Sequence, residues 1–473
     1  MNPIDVSIRL YENLFDKKRK IVIPEYQRPY IWGKEKAEEL LMDFEDYFIK
    51  SKPNKPYYLG TIIYFYNEHE GHYEVIDGQQ RITTLLIIQK LLSNHELPEY
   101  QNVFYNSHQS IKYIKEAQTY FQQNFELLEK LEECNFLKNL NFTLIITHTE
   151  DDAFTFFDTQ NNRGIKLGAT DFLKAYHLRA INSEILQEQS ARQWEKSSTT
   201  INEGSLLSHL FEKILWRARN WKGQNQIIFE NKDAILKTFQ KSTIKNKYPD
   251  SYPLYPNFYN RKAVAHQYQT NGELFQIQSN STSISKADYP YSLRQPIHKG
   301  INFFKYSDKY IAIYQLLFQS NECSNSEIVE MQKFYEIVYN YDMSVYLRHF
   351  MQLCLIAYYD VFGSKDILHA AYSFDYIIGS IRLSKQQIKK EAVRRCLIDS
   401  PNNILDLIAN AYLPNELFEF VYSVEDYDRI YLSEDTENIQ INDGVQGRYK
   451  GRILNYFNKT EKPIYNRKIW GKI

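Results

Sequence analysis

The N-terminal part of the chain alternates between strand-like and helix-like patterns of apolar side chains. Residues 57–66 (YYLGTIIYFY) are rich in β-branched and aromatic residues, and residues 73–76 (YEVI) follow after a short polar turn, which predicts a β-hairpin. Asp77 and Gly78 form a sharp turn at its end. From Gln79 onward the apolar positions recur with helical spacing, so the sequence predicts a strand that passes directly into a helix.

Further apolar periodicity around this unit predicts a mixed α/β domain over residues 1–180. An amphipathic helix is expected just after Gly33, where Ala37, Leu40, Leu41, Phe44 and Phe48 share one face. Downstream, the pattern predicts a strand at 142–147, a helix at 149–160, a turn at 161–164 and a helix at 171–180.

Residues 181–473 carry mostly helical patterns and are expected to form a second domain. The predicted helices span 206–218, 301–319, 327–341, 344–361, 366–382 and 384–398. Residues 247–296 contain five prolines with Ser and Tyr clusters, which predicts a loop-rich insertion. The fold class expected from these patterns is α+β, a mixed N-terminal domain followed by a mostly α-helical one.

Composition and charge narrow the class of protein. The 39 Tyr and 28 Phe far exceed the 16 Gly and 14 Pro, which excludes a collagen-like or disordered chain. The 57 Lys and Arg balance 58 Asp and Glu, so any nucleic-acid affinity has to come from local patches. The N-terminus carries charges where a signal peptide is apolar, and no window approaches about 18 consecutive apolar residues. We therefore expect a cytoplasmic protein without a membrane partner, whose four widely spaced cysteines are reduced.

The strand-to-helix junction at residues 76–84 (IDGQQRITT) carries the clearest chemistry. Gly78 permits a tight turn, and the first-turn amides of the following helix have no partner within it and lie at its positive end, where a phosphate binds well. Arg81 can add a bidentate phosphate contact, and Asp77 can hold a metal or act as a base. The alternative is a structural turn in which Asp77 caps the helix and pairs with Arg81. No P-loop motif occurs in the chain.

Two other segments hold similar residue types. Residues 23–32 (IPEYQRPYIW) place Arg28 between prolines and aromatics, where a proline-restricted backbone presents it rigidly. The alternative is that these aromatics are core and that Arg28 is a structural ion-pair partner. Residues 157–164 (FDTQNNRG) and 170–174 (TDFLK) bring Asn, Arg, Asp and Lys around one turn, although a helix stop and an Asp-capped restart have the same composition.

With these three segments in this order, the sequence resembles the N-terminal domain family of GmrSD-type restriction endonucleases, whose members share a ParB/sulfiredoxin-like nucleotide-binding fold. The resemblance rests on YQRPYIW, on GTI before IDGQQR, on NNRG and on the D-x-x-K helix. It implies catalytic roles in nucleotide hydrolysis for Asp77, Gln79, Gln80 and Arg81. It also implies a nucleotide pocket formed by Tyr26, Gln27, Arg28, Gly78, Thr83, Asn162, Arg163 and Lys174.

The chain departs from the family pattern in one respect, and this difference changes the function that we expect. Full members of the family add a C-terminal His-Me-finger (HNH-like) nuclease domain, whereas the last histidine here is His369 and no His-x-x-Pro pattern appears in the helical part. We therefore expect an NTP-binding and NTP-hydrolysing sensor or regulatory subunit of a bacterial anti-phage or DNA-restriction system. A non-catalytic scaffold that binds nucleotide or DNA is the main alternative. A nuclease that uses carboxylates instead of histidine has no motif behind it.

The same resemblance sets the expected ligands and partners. The cofactor is a nucleoside triphosphate, with ATP, GTP and CTP equally compatible and Mg²⁺ as a companion ion for which no ligand is assigned. The partners are DNA, including modified or phage DNA, a separately encoded effector such as a nuclease, and a second copy of the chain.

Charge segregates near the C-terminus in a way that suggests a DNA surface. Residues 416–443 hold nine acids and one arginine, whereas residues 444–473 hold eight bases and one glutamate. The candidate phosphate contacts are Arg382, Lys385, Lys389, Arg394, Arg448, Lys450, Arg452, Arg467 and Lys468. The alternative is that the acidic and basic segments pair with each other and that residues 382–395 are a solvated helix face.

Overall fold

The computed structural model describes residues 4–15, 18–24, 27–51, 55–93, 97–101, 103–105, 107–149, 168–201, 204–224, 228–245, 253–263, 265–268, 275–278, 285–320, 323–340, 343–459 and 464–470. The chain forms two compact units. One comprises Met1–Leu178 and Gln187–Glu195, and the other comprises Arg179–Leu186 and Lys196–Ile473. In the described part of the chain, no helix is both long and apolar enough to cross a membrane.

A five-stranded mixed sheet organises the N-terminal unit. Its strands are β1 (Ile4–Leu10), β2 (Ile21–Val22), β3 (Tyr57–Asn67), β4 (His72–Asp77) and β5 (Leu140–Thr147), and their spatial order is β1-β5-β3-β4-β2. β3 and β4 form an antiparallel hairpin, while β3 runs parallel to β5 and β2 parallel to β4. β1 runs antiparallel to β5 in an unbroken register over seven positions.

Helices cover one face of this sheet and bury the main core. The helices of this core are α1 (Lys34–Phe44), which continues as π-helical turns over Glu45–Ser51, α2 (Gln79–Ser93), α3 (His108–Gln123) and α4 (Phe125–Glu133). Two further helices follow in the chain, α5 (Ala169–Leu178) and α6 (Glu184–Ser197), and residues of α6 are divided between the two units. Because successive side chains of a strand point to opposite faces, Ile62 and Tyr64 enter the main core. Their neighbours Ile63 and Phe65 join a smaller cluster on the other face.

The second unit is mostly helical. Its helices are α7 (Leu206–His209), which continues through Leu210–Leu215 into α8 (Trp216–Asn220), α9 (Lys232–Leu236), α10 (Ile301–Phe318), α11 (Ser326–Tyr339), α12 (Val345–Phe362), α13 (Ile367–Ser384), α14 (Lys390–Asp399), α15 (Ile404–Asn410), α16 (Pro414–Ser423), α17 (Glu425–Tyr431), α18 (Glu434–Asn438), α19 (Gly444–Tyr456) and α20 (Arg467–Trp470). Two short hairpins accompany them, β6 (Thr200–Ile201) with β7 (Gly204–Ser205) and β8 (Ala265–Tyr268) with β9 (Phe275–Gln278). α12 and α13 are buried on nearly all sides, which makes them the centre of this unit.

The observed elements confirm most of the predicted ones in both units. The hairpin, the helix from Gln79, the strand near 142–147 and the long helices of the second unit are present, with ends shifted by a few residues. The α+β class is therefore confirmed. Strands β1 and β2 were not predicted, and the helix at 149–160 and the turn at 161–164 lie outside the described residues.

One predicted helix is wrong over its first turns. The helix expected at 384–398 begins only at Lys390, and residues 385–389 are not helical. The Arg382 guanidinium donates to the carbonyl oxygens of Lys385 and, at 2.6 Å, Gln386. Because the buried Arg382 guanidinium binds these two carbonyl oxygens, the chain bends here instead of continuing as a helix. The spacing of the lysines in the sequence does not reveal this contact.

Candidate functional site

The candidate site begins where β4 passes into α2. Asp77 is the last residue of β4, Gly78 has φ +97°, and α2 starts at Gln79. A Cβ atom on Gly78 would lie 2.8 Å from Ile62 Cγ1, so both the backbone conformation and the space favour glycine there. The first-turn amides of a helix have no acceptor within it and carry its positive dipole end. This turn therefore places the positive end of α2 directly after Asp77, at the C-terminal end of β4.

Asp77 and Arg81 form an ion pair beside that terminus. Arg81 Nη2 donates to Asp77 Oδ2 at 3.2 Å, and Arg81 Nη1 donates to the Leu59 carbonyl oxygen at 3.1 Å. Gly60 has φ +105°, and a Cβ atom there would collide with the Arg81 guanidinium. The guanidinium is thus held in a slot that the missing side chain leaves open. The ion pair of the structural alternative is present, and 25% of the Asp77 side chain remains exposed.

The polar side chains in the first turns of α2 are buried. Gln80 Oε1 accepts the Ile31 amide at 2.9 Å, and Gln80 Nε2 donates to the Pro29 carbonyl oxygen at 3.1 Å. Both atoms of this side-chain amide are engaged by backbone, so the structure gives Gln80 a positioning role. Gln79 is only 4% exposed, and its Oε1 has no hydrogen-bond partner among the described residues.

Thr83 and Thr84, one turn further along α2, are also buried. Thr83 shares a short hydrogen bond with the hydroxyl of Tyr105, and its Oγ1 donates to the Gln79 carbonyl oxygen at 2.7 Å. The predicted nucleotide contact at Thr83 is therefore engaged within the protein. Tyr105 was not singled out from the sequence, because an isolated tyrosine between α2 and α3 carries no motif.

Residues 27–31 are tied to the α2 terminus by several hydrogen bonds. Gln27 Nε2 donates to the Ile76 carbonyl oxygen at 2.7 Å, and the Tyr30 hydroxyl shares a 2.8 Å hydrogen bond with Thr84. Tyr30 is fully buried, and burial raises its pKa to about 12 against the opposing hydrogen bond from Thr84. Tyr30 is therefore a core residue, as the structural interpretation expected. The predicted contact Tyr26 lies outside the described residues.

Arg28 sits within this fixed segment, between Gln27 and Pro29. Its side chain is half-buried, and no hydrogen-bond or ion-pair partner of its guanidinium is found in the described ranges. Among the described residues, the Arg28 guanidinium therefore lacks the ion-pair partner that the structural alternative requires. The hydrogen bonds of Gln27 and of the Pro29 carbonyl oxygen thus hold the backbone on both sides of Arg28.

The third segment reaches the site through Lys174. This lysine lies on α5 and is 4% exposed, and its Nζ donates to the Gln27 carbonyl oxygen at 3.2 Å and to Glu195 Oε1 at 3.1 Å. Glu195 was missed from the sequence, because nothing in a helix of mixed polarity marks it as the partner of a distant lysine. Asn162 and Arg163 lie outside the described residues. Lys174 therefore connects the described part of this segment to residues 27–31.

Two family models match the chain. The model of the GmrSD restriction endonuclease, N-terminal domain, matches residues 11–178, and that of the family of unknown function DUF7834 matches residues 186–438, more than half of the 473 residues. The chain belongs to the DUF7834 family and carries a GmrSD N-terminal domain ahead of it. No curated protein matches it. Neither matching model is that of an HNH-like nuclease domain.

The GmrSD match confirms the family resemblance. It spans the whole candidate site except Glu195, and it includes the β4–α2 junction, residues 27–31 and Lys174. In the described ranges of the chain, no group of three or more His, Cys, Asp and Glu residues could hold a metal ion. The described part of the site combines one partly exposed carboxylate, two arginines and a helix terminus.

Four of the nine candidate DNA contacts are buried and do not fit that prediction. Arg382, Arg394, Lys450 and Arg467 are at most 6% exposed. Lys450 Nζ donates to three backbone carbonyl oxygens at 2.8 to 3.0 Å, all within residues 436–439. Arg467 pairs with the fully buried Asp375. Because these four side chains are buried within the protein, they are not available to contact a phosphate.

The remaining candidates divide by exposure. Lys385 and Lys389 are exposed, while Arg448 and Arg452 are half-buried and make contacts within the protein. Lys468 Nζ lies 2.7 Å from Asp428 Oδ2. With Lys450, this pair joins the basic C-terminal segment to the acidic one, as the alternative interpretation expected. A DNA surface in the DUF7834 region therefore stays a prediction centred on Lys385 and Lys389.

Proposed function

We propose that this protein is an NTP-binding sensor subunit of a bacterial DNA-restriction or anti-phage system, that it hydrolyses the nucleotide, and that it acts through a separately encoded effector. The family of its N-terminal domain supports a role in restriction. The observation that carries the nucleotide proposal is the α2 terminus, which begins at a glycine turn between Asp77 and Arg81. Such a terminus suits a phosphate group.

Each residue of the site has a defined role in this proposal. The phosphates bind the first-turn amides of α2, and Arg28 adds a charge-assisted contact because its guanidinium is unengaged in the described ranges. Arg81 is shared between a phosphate oxygen and Asp77. Gln80 and Lys174 position residues 27–31 without touching the nucleotide. Gln79 Oε1, buried and without a partner among the described residues, accepts a hydrogen bond from the ligand.

The donor set fits a Mg²⁺ ion that arrives with the nucleotide. Mg²⁺ is commonly held by one or two carboxylates together with substrate phosphates, and it keeps several of its waters. Asp77 supplies one partly exposed carboxylate. When bound, the ion would neutralise phosphate charge, and the protein would contribute Asp77 as ligand or as base.

One observation favours the second candidate, a scaffold that binds nucleotide or DNA without turnover. Both terminal nitrogens of Arg81 already have acceptors, in Asp77 and in the Leu59 carbonyl oxygen. In a scaffold, this ion pair persists in the bound state and Asp77 is never released for catalysis. Binding without hydrolysis is the outcome that separates this candidate from the first.

Calorimetric binding and turnover of radiolabelled ATP, GTP and CTP, each with and without duplex DNA, test both candidates. We expect Asp77→Asn to leave binding intact and to lower turnover by ~10²- to 10⁴-fold, the usual cost of losing a positioned acid or base. We expect Arg28→Gln to weaken binding by about tenfold, because a charge-assisted hydrogen bond is removed. Asp46→Asn is the matched control, since it removes an exposed i,i+4 ion pair with Lys50 in the same unit.

The outcomes separate the candidates. Turnover that requires Asp77 supports the sensor, whereas binding of a nucleotide that is never hydrolysed supports the scaffold. Wild-type turnover in Asp77→Asn removes this site from the mechanism. Absence of binding for all three nucleotides contradicts the sensor and every scaffold that binds nucleotide, and it leaves only a scaffold that binds DNA.

A further inference from the structure

Strand β1 leaves an open edge on the N-terminal sheet. It is the terminal strand in the sheet order, and its other side has no neighbouring strand among the described residues. Edge strands of monomeric proteins are commonly guarded by charged side chains, above all lysine, by proline or by a bulge. The sequence of β1, IDVSIRL, contains neither lysine nor proline, and its register with β5 is regular over all seven positions. Its two charged residues, Asp5 and Arg9, have opposite signs, so as far as the described residues show, this edge can pair with a strand of complementary charge.

Two apolar side chains of β1 are strongly exposed. Val6 is 63% and Ile8 is 73% exposed, although β-branched residues of this kind are usually buried in strands. Because side chains alternate along a strand, both lie on the same face of the sheet. Asp5, Ser7 and Arg9 lie on the other face, and the Asp5 and Arg9 side chains are exposed.

The β1 sequence is complementary to itself when two copies run antiparallel about Ser7. In that register Ser7 faces Ser7 of the second copy, and Val6 faces Ile8. Asp5 faces Arg9, and the two-fold axis repeats each of these pairs. Directly opposed residues in an antiparallel pair have Cβ atoms about 4.5 to 5.5 Å apart, close enough for an ion pair or an apolar contact. Thus one register provides two ion pairs, two apolar pairs and backbone hydrogen bonds together.

We propose that this protein forms a homodimer through β1, with the two five-stranded sheets joined into one continuous sheet across a two-fold axis at Ser7. The occupant of the open edge is a second copy of the same chain, because the charges and the apolar side chains of β1 complement their own antiparallel image. The proposal is independent of nucleotide binding, since none of the candidate site residues belongs to β1.

A charge-reversal series in sedimentation velocity tests the interface. Wild type should dimerise reversibly, and Arg9→Asp should raise the dimer dissociation constant by about tenfold or more, because both ion pairs become repulsive. Asp5→Arg combined with Arg9→Asp should restore dimerisation, because the reversed charges again face each other. Lys36→Asp, an exposed charge reversal on α1, should behave as wild type. Far-UV circular dichroism and thermal melts establish that each variant folds.

Crosslinking tests the register. Ser7→Cys should form an intermolecular disulfide under mild oxidation, since opposed residues have Cα separations within the range that a disulfide spans. Adding Arg9→Asp should suppress this crosslink, and wild type controls for its four native cysteines. A wild-type chain that stays monomeric at every soluble concentration overturns the proposal. A dimer that Arg9→Asp leaves unchanged, or one that the double reversal fails to restore, also overturns it.

Discussion

The side-chain amide of Gln80 holds the backbone of Ile31, forty-nine residues earlier in the chain, with its Oε1 accepting the Ile31 amide at 2.9 Å. Its Nε2 donates to the Pro29 carbonyl oxygen at 3.1 Å. Because Gln80 lies in the first turn of α2, its two hydrogen bonds connect the N-terminus of α2 to the segment that carries Arg28. The position of Arg28 therefore depends on a residue that itself has no free amide atom.

Replacing Gln80 should weaken the N-terminal unit. Gln80→Ala removes both hydrogen bonds and leaves the Ile31 amide and the Pro29 carbonyl without these partners, which should cost about 1 to 2 kcal/mol in the free energy of unfolding. Urea denaturation followed by circular dichroism measures this change. Gln122→Ala, at an exposed position on α3, is the matched control. Equal stability of the two variants would show that the Gln80 bonds do not hold this segment.

Lys174 and Glu195 should be energetically coupled. Lys174→Met leaves Glu195, whose side chain is only 23% exposed, without its cation, and also removes the bond to the Gln27 carbonyl oxygen. We expect a loss of about 2 kcal/mol, below the full cost of breaking a buried pair because Glu195 is partly solvated. A double-mutant cycle with Glu195→Gln should give a coupling energy of about 1 kcal/mol. Additive effects would contradict a direct interaction.

Any DNA affinity of the helical unit should depend on its exposed lysines. Lys385→Gln combined with Lys389→Gln should reduce the slope of log K against log salt by about 0.9 for each phosphate that the protein no longer neutralises. Fluorescence anisotropy with duplex DNA across a salt series measures the slope. Lys237→Gln, at an exposed position on the same unit, serves as the control and should leave it unchanged. A slope that the double variant leaves intact assigns these lysines to a solvated surface.

Deleting the basic C-terminal segment would test the predicted DNA surface less cleanly than these lysine substitutions, because the deletion also removes the buried Arg467. Burial alone would lower the pKa of Arg467, but its ion pair with Asp375 raises it above the ordinary value, so the guanidinium stays charged. Tyr339 and Tyr449 also donate to Asp375, at 2.6 and 3.1 Å. Arg467→Met should therefore cost about 3 to 5 kcal/mol, since it leaves a buried carboxylate without its cation. Chemical denaturation measures the loss, and near-wild-type stability would contradict this role for the ion pair.

The purified chain alone should not cut DNA. The motivation is the sequence, in which no histidine follows His369 to activate water in the manner of an HNH-like nuclease. Supercoiled plasmid incubated with the protein and Mg²⁺ or Mn²⁺ should stay intact, and Asp77→Asn prepared in parallel controls for contaminating nucleases. Metal-dependent nicking that survives repurification and disappears in a site variant would contradict a separate effector.

His369 should make the helical unit less stable as the pH falls. Its ring stacks on Phe418 at 4.0 Å, and burial lowers its pKa below 6.5 despite the opposing charge of Asp366. Because the unfolded chain binds the proton more readily, the free energy of unfolding falls as the pH drops through about 6.5 and levels off below the folded-state pKa. His369→Gln should flatten this part of the stability profile. His69→Gln, in the exposed β3–β4 turn, should leave it as in wild type.

The sequence by itself determined the elements that short-range rules govern. The β3–β4 hairpin follows from two runs rich in β-branched and aromatic residues on either side of a polar turn. The abrupt start of α2 follows from Gly78, which adopts a positive φ at no steric cost. The Asp77–Arg81 pair was open to inference because only three residues separate the end of β4 from Arg81 in the first turn of α2. Each of these features depends on residues that lie close together in the sequence.

Only the tertiary structure decided which charges are available to a ligand. Lys450 and Arg467 belong to a basic segment that resembles a DNA surface by composition, yet both are buried against protein acceptors. Lys174 meets Glu195, and β1 finds β5 from the opposite end of the domain. These contacts form only when elements that are distant in the sequence pack together. The free energy of a charge depends on its burial and on its nearest opposite charge, and neither is encoded in the local sequence around it.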